Sequence, residues 1–372
     1  MRSLRLKQIP VLVLCLTAVV PQRVVAPPPM NAATEAELAR GIPLLMEKRG
    51  VPGLSIAVIR EGETVWLGNF GVQSETTKRP VTKDTRFNVG SLSKPVFAYG
   101  VLKLVDAGKL RLDEPLAPYV PKEFTQGDAR FKQITARFVL SHRTGFPNWP
   151  GDGQPLTIHF NPGERFSYSG VGMVFLQLAV EKITGKPLSQ YMQEAVLGPL
   201  GMKNSSYVWE PAFENNIAAG HKTNGTPVDV PKAEQANAAS SLVKTAQDYA
   251  IFLGAILNDR GLEPSTIREM ETPEIAVDPN CINCVEVSSS GKLSTTMFWG
   301  LGFGIEKTGE VISLWHWGDY DTFKAYFTIQ PATKSGVVYL TNSQNGLSIG
   351  PKILAETLGG EQPAFEWLNS KN

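Results

Sequence analysis

The sequence predicts an α/β protein of the α+β type, in which an antiparallel sheet is flanked by helices and a mainly helical lobe is inserted into it. Two observations carry this. Segments rich in β-branched and aromatic residues stand at both ends of the 372-residue chain, and between them apolar residues recur at helical spacing. A single sheet can use strands from both ends only if the ends meet in one lobe, which leaves the middle as a second lobe with a cleft between them.

The elements follow in order. Thr34-Glu35-Ala36-Glu37 has the pattern of a capping box opening a helix that Gly50 closes, with Pro43 expected to kink or shorten it. Leu54 to Arg60 and Thr64 to Val72 read as a hairpin turned by Glu61-Gly62-Glu63. Helical spacing runs over Val96–Val105, Val171–Ile183, Leu188–Val196 and Ala246–Leu257. Strands return at Leu301–Lys307, Val311–Trp315, Phe323–Gln330 and Gly336–Thr341, before a closing helix from about Leu347 to Leu358 that ends at Gly359-Gly360. The sheet lobe is therefore expected over about 34–86 and 296–365, and the helical lobe over about 87–295.

Bulk composition narrows the function. A hydrophobic content of 42% with 9% aromatics is enough for a sizeable core, and a net charge of +1 without long charged runs leaves no footprint for nucleic acid or an anionic membrane. A small, roughly neutral substrate is the expectation. Residues 1–26 have the layout of a secretory signal: Arg2, Arg5 and Lys7, then an apolar stretch from Ile9 to Val20 too short to span a bilayer, then a polar, Pro-rich exit. Export to a periplasmic or extracellular space follows, with no membrane span once the signal is removed. In such a compartment Cys281 and Cys284 suit a local loop disulfide rather than a metal or redox site. His142, His159 and His221 read as structural, since their spacing suggests no metal ligation, and no motif calls for a cofactor. The sequence leaves the oligomeric state open.

Three short motifs carry chemistry. In Gly90-Ser91-Leu92-Ser93-Lys94-Pro95, residues three apart on a helix share a face, so a hydroxyl and an amine lie side by side. An amine desolvated at a helix start has its pKa lowered and can take the serine proton, while the Ser91 N–H is placed to donate to an oxyanion. Pro95 puts the helix start near Ser91, and the flanking Phe87, Val89, Leu92, Val96 and Phe97 mark the segment as buried. Next, Tyr168 stands in Pro162–Gly170, just ahead of a helix; an ammonium near its oxygen would lower its pKa and let it serve as base and later as acid. Finally, Trp315-His316-Trp317-Gly318-Asp319 ends a strand, where His316 can supply a polar or cationic group and Gly318 lets substrate approach a backbone amide.

These motifs, in this order and layout, resemble the serine β-lactamase and penicillin-binding-protein superfamily, in the branch similar to class C β-lactamases, D-Ala-D-Ala carboxypeptidases and β-lactamase-like carboxylesterases. Ser91 to Lys94 matches its S-x-x-K, Tyr168-Ser169-Gly170 matches two of three positions of its Y-x-N, and His316-Trp317-Gly318 matches its K-T-G or H-x-G strand. Val51-Pro52-Gly53-Leu54-Ser55 and Leu140-Ser141-His142-Arg143-Thr144-Gly145 extend the likeness, which covers residues 34–365. The resemblance implies a β-lactamase/transpeptidase-like fold and acyl-enzyme hydrolysis of an amide, lactam or ester, with Ser91, Lys94 and Tyr168 catalytic and His316, Gly318, Asp319 and Gly170 around the oxyanion and substrate. The alternative within it is a penicillin-binding or sensor protein that is acylated without efficient turnover. Two departures, Gly170 in place of an asparagine and His316 in place of a lysine, remove an amide and a permanent cation and shift the expectation toward esters and generic amides.

Overall fold

The computed structural model describes residues 27, 30–124, 127–151, 153–286 and 293–369. The signal-like segment 1–26 and the stretch Ser288–Gly291 lie outside the described residues.

Among the described residues, eight strands form one sheet: β1 (Gly53–Arg60), β2 (Glu63–Gly71), β3 (Ile275–Ala276), β4 (Met297–Trp299), β5 (Gly304–Thr308), β6 (Val311–Tyr320), β7 (Phe323–Gln330) and β8 (Ser335–Thr341). Their order is β2-β1-β8-β7-β6-β5-β4-β3, with every neighbouring pair antiparallel. The first strand therefore pairs with the last, Leu54 opposite Thr341 and Val58 opposite Val337, which brings the two ends of the chain into one sheet.

Every residue of β1 is buried, because both faces of the sheet are covered. Side chains alternate between the two layers. Leu54, Ile56 and Val58 join Tyr326, Val337 and Tyr339 in a core shared with helices α1 (Ala32–Arg49), α5 (Gly350–Thr357) and α6 (Pro363–Asn369). Ala57 and Ile59 face the opposite way, joining Phe327, Val338 and Leu340 in the core built on α2 (Ser93–Asp106), α3 (Gly170–Thr184) and α4 (Ala246–Leu257).

Several local expectations are corrected. The cap of α1 is Asn31, whose Oδ1 accepts from the N–H groups of Ala33 and Thr34 at 3.0 Å, so the helix starts ahead of Thr34; it runs on through Pro43 to close at Gly50 in the left-handed conformation. The helix expected to end at Gly359-Gly360 does so, but it is not the last: α6 follows it, held by the Ala364 N–H on buried Glu306 Oε2 at 2.7 Å. The middle of the chain also supplies part of the sheet layer. Ile275–Ala276 adds the edge strand β3, and α4 packs across β1, β2 and β8.

Candidate active site

The site begins with a two-residue ladder, in which Phe87 pairs with Lys244 and Asn88 with Val243. Asn88 Oδ1 then accepts the Gly90 N–H at 2.8 Å, and Gly90 turns the chain with φ +50 into a single 3-10 turn, Gly90–Leu92, that leads into α2. A β-carbon at Gly90 would fall 2.6 Å from the Asp319 carbonyl oxygen, and one at Gly318 would fall 2.2 Å from that of Val89. These two glycines are what let the end of β6 lie against the turn that carries Ser91. The hydroxyls of Tyr207 and Tyr249 donate to the carbonyls of Ser93 and Leu92 at 2.7 and 3.0 Å and fix the turn from the other side.

Ser91 sits in that 3-10 turn and Lys94 on the first turn of α2. A 2.8 Å hydrogen bond joins Lys94 Nζ to Ser91 Oγ, and Lys94 also donates to the Ala239 carbonyl at 2.9 Å. The amine is fully buried, and burial alone lowers its pKa to about 7. Near neutrality a large share of it is therefore a free amine, held by Ala239 with its lone pair available to the serine hydroxyl.

Tyr168 lies just before α3, whose N-cap Ser169 accepts the Gly172 N–H at 3.0 Å. The Lys94 amine lies over the Tyr168 ring, 4.9 Å from its centroid. The expectation of an acidified phenol is overturned: burial pushes its pKa well above the ordinary tyrosine value, Ser91 beside it pulls the other way, and Asp319 adds to the rise. The phenol is thus neutral, and its oxygen makes no hydrogen bond of good geometry.

Of the two roles open to His316, polar or cationic, the structure favours the polar one. It is fully buried on β6, its Nδ1–H donates to the Trp317 carbonyl at 2.7 Å, and burial, reinforced by Lys94, lowers its pKa to about 3. It is a neutral imidazole with a bare Nε2, so it offers no cation.

A cleft of about 360 Å³ opens over Ser91 and Tyr168. Trp317, Asp319 and Tyr320 close it from β6, Asn148 and Trp149 from a loop of the helical lobe, and Ile282 and Asn283 from the Cys281–Cys284 disulfide loop. Among these lining residues Asp319 alone is ionic, and it is ion-paired to Lys324 at 2.6 Å. Gly170 lies under the Trp149 indole, where a β-carbon would come within 2.5 Å of Cζ2. The sequence reading missed Asn148, Trp149 and the disulfide loop. Asn148 Oδ1 accepts the Gly170 N–H at 2.8 Å and Ile282 O accepts the Tyr168 N–H at 2.9 Å, contacts between residues 22 and 114 positions apart that no local pattern encodes.

The family model described as Beta-lactamase matches residues 38–355. The chain belongs to the β-lactamase family. It is 27% identical over 343 residues to penicillin-binding protein 4 of Amycolatopsis lactamdurans, covering 85% of this chain and 87% of the relative. It is 20% identical over 317 residues to protein flp of Staphylococcus aureus, covering 80% of this chain; it spans only 61% of that relative's length. Among solved structures, the octameric penicillin-binding protein homologue of Pyrococcus abyssi superposes with a TM-score of 0.71 at 25% identity, over 91% of this chain and 78% of that one. The D-alanine carboxypeptidase AmpC of Burkholderia cenocepacia gives the same TM-score at 21% identity, over 87% and 99%. The mixed helical and antiparallel architecture is thus that of the β-lactamase family.

Proposed function

We propose that this β-lactamase-family protein is a serine acyl hydrolase that forms a covalent ester on Ser91. The carrying observation is the 2.8 Å contact between Ser91 Oγ and a Lys94 amine whose pKa is about 7. Lys94 takes the hydroxyl proton as Oγ bonds to the substrate carbonyl carbon, and the carbonyl electron pair moves onto oxygen. The backbone N–H groups of Ser91 and Asp319, brought together by Gly90 and Gly318, receive that oxyanion. As the tetrahedral centre collapses, the leaving group departs with the proton from Lys94, relayed through the neutral Tyr168 hydroxyl. Water then attacks the acyl-enzyme, giving up a proton to the Lys94 amine, and Ser91 leaves reprotonated.

The walls of the cleft favour an ester or amide without a carboxylate at this end. His316 is neutral and Lys324 is engaged by Asp319, so neither is a free cation for a substrate acid. The aromatic walls Trp149, Trp317 and Tyr320 suit an apolar acyl or leaving group. We further propose that residues 1–26 direct export, a reading that the Cys281–Cys284 disulfide supports. The name of the Amycolatopsis relative favours one other reading, a penicillin-binding protein that is acylated without turnover.

Side-by-side turnover of nitrocefin, a short p-nitrophenyl ester and a D-Ala-D-Ala peptide separates these. The expected result is steady ester turnover that Ser91→Ala abolishes and Lys94→Ala nearly abolishes. A single stoichiometric burst with a stable adduct supports the receptor reading, and activity that survives Ser91→Ala overturns both.

A further inference from the structure

His142 holds the catalytic tyrosine segment in three ways at once. Its carbonyl accepts the Ser167 N–H at 2.9 Å, its Nδ1 accepts the Ser169 N–H at 3.1 Å, and its ring lies against that of Tyr168 with centroids 4.3 Å apart. The residues on both sides of Tyr168 are thus bonded to one histidine 26 positions earlier. That histidine is 1% exposed and adopts φ +54, a conformation rare for a residue with a β-carbon, which the surrounding structure must hold.

The bonding fixes the tautomer. A backbone N–H pointing at Nδ1 requires a lone pair there, so the proton of the neutral ring is on Nε2. That Nε2–H is buried with no partner, in the neighbourhood of His316, whose Nδ1–H donates to a carbonyl and whose buried Nε2 is a bare acceptor. The two imidazoles thus present a donor and an acceptor. The titratable groups that face His142 are Tyr168 ahead of α3, Lys94 on α2 and His316 on β6, and Lys94 and His316 add to burial in disfavouring the imidazolium. Charging the ring would place a proton on Nδ1 and break the bond to Ser169.

We propose that His142 is a positioning residue for the acyl-transfer reaction, setting the Tyr168 hydroxyl over Ser91 and Lys94 by clamping the backbone on both sides of it as a neutral Nε2–H imidazole. This rests on the reading of Tyr168 as the proton relay. If the clamp is right, an acceptor at the Nδ1 position is what matters, and the effect falls on kcat and not on substrate affinity.

Two substitutions separate the clamp from simple core filling. His142→Asn keeps an acceptor near the Nδ1 position and tolerates positive φ, whereas His142→Phe keeps the bulk and the ring contact but offers no acceptor. The expected result with the p-nitrophenyl ester is kcat within about fivefold of wild type for His142→Asn and at least about fiftyfold down for His142→Phe, with KM within about twofold in both. A His142→Phe enzyme with at least half the wild-type kcat, or the two variants equally slow, overturns the proposal.

A ground-state measurement on the unmodified protein stands apart from catalysis and from variant folding. Nitrogen-15 NMR of labelled histidine should find His142 with Nδ1 unprotonated and Nε2 protonated throughout pH 5 to 8. A protonated Nδ1, or titration in that range, overturns the clamp even if the protein is an active serine hydrolase, while the expected tautomer in a protein without turnover leaves the clamp standing and sinks the hydrolase reading.

Discussion

The indole of Trp149 lies on the α-carbon of Gly170, so close that a β-carbon there would stand 2.5 Å from Cζ2, 2.8 Å from Cε2 and 2.9 Å from Cη2. The position at which the superfamily resemblance led one to look for a substrate-binding asparagine is filled from a different loop by an aromatic wall. Glycine at 170 is a steric requirement of that wall.

Gly170→Asn should therefore push the indole into the cleft and lower kcat/KM for the ester by about tenfold or more. The double variant Trp149→Ala with Gly170→Asn should recover activity and raise the ratio of β-lactam to ester turnover, since it exchanges an apolar wall for a carboxamide. Steady-state kinetics on both substrates checks this, and a Gly170→Asn enzyme as active as wild type contradicts it.

In the proposed mechanism the Lys94 amine sets the pH dependence. Its pKa is about 7 in the folded protein, against an ordinary value of 10.5, so kcat/KM should rise with pH through about 7 as the free amine appears. Between about 7 and 10.5 the unfolded chain binds the proton that the folded one has released, so stability attributable to this group also rises with pH across that window; below 7 the full burial cost stands. Lys94→Met should thus be inactive yet more stable than wild type by roughly 1–4 kcal/mol below pH 7, with the gain shrinking toward pH 10. Urea titrations at pH 6 and pH 9.5 measure the difference.

Lys244 offers a contrast. Like Lys94 it is fully buried, but its Nζ has no hydrogen-bond partner and lies 3.7 Å from the Tyr249 ring centroid, and burial holds its pKa well below the lysine range despite Asp248. Lys244→Met should raise the urea midpoint by the equivalent of roughly 1–3 kcal/mol and change ester turnover by less than about twofold.

The disulfide loop should matter more to catalysis than to stability. Its four residues enclose a very short ring, worth about 2 kcal/mol on the chain-entropy view, but the Ile282 carbonyl holds the Tyr168 N–H, and the Cys284 N–H donates to Ser167 Oγ at 2.9 Å. Replacing both cysteines with serine, or reducing with a dithiol, should lower kcat by about threefold to tenfold while the main unfolding transition moves little. Equal kcat before and after reduction, with thiol release confirmed by mass spectrometry, contradicts this.

Much of this was open to a reader of the sequence, and the reason is that it is local. Ser91 and Lys94 meet because three residues along a helical turn share a face. β-Branched and aromatic content marked Leu54–Arg60 and Gly336–Thr341 as strands, and strands at both ends of the chain implied that the ends share a sheet, as Leu54 opposite Thr341 bears out. Helix ends were read less well, because caps such as Asn31 compete with equally good signals a few residues away.

What only the tertiary structure decided is the state of each group in the site. Burial and opposing segments set protonation, and both come from residues remote in sequence: Lys94 is fixed by Ala239, 145 positions away, and Tyr168 by Ile282. So the tyrosine whose pKa was expected to fall is a neutral phenol, the histidine that could be polar or cationic is an uncharged imidazole, and His142, read as a structural residue, grips both neighbours of Tyr168. Residue types at short spacing name the groups that can react, while the desolvation that makes an amine basic or keeps a phenol neutral is a property of the packed whole.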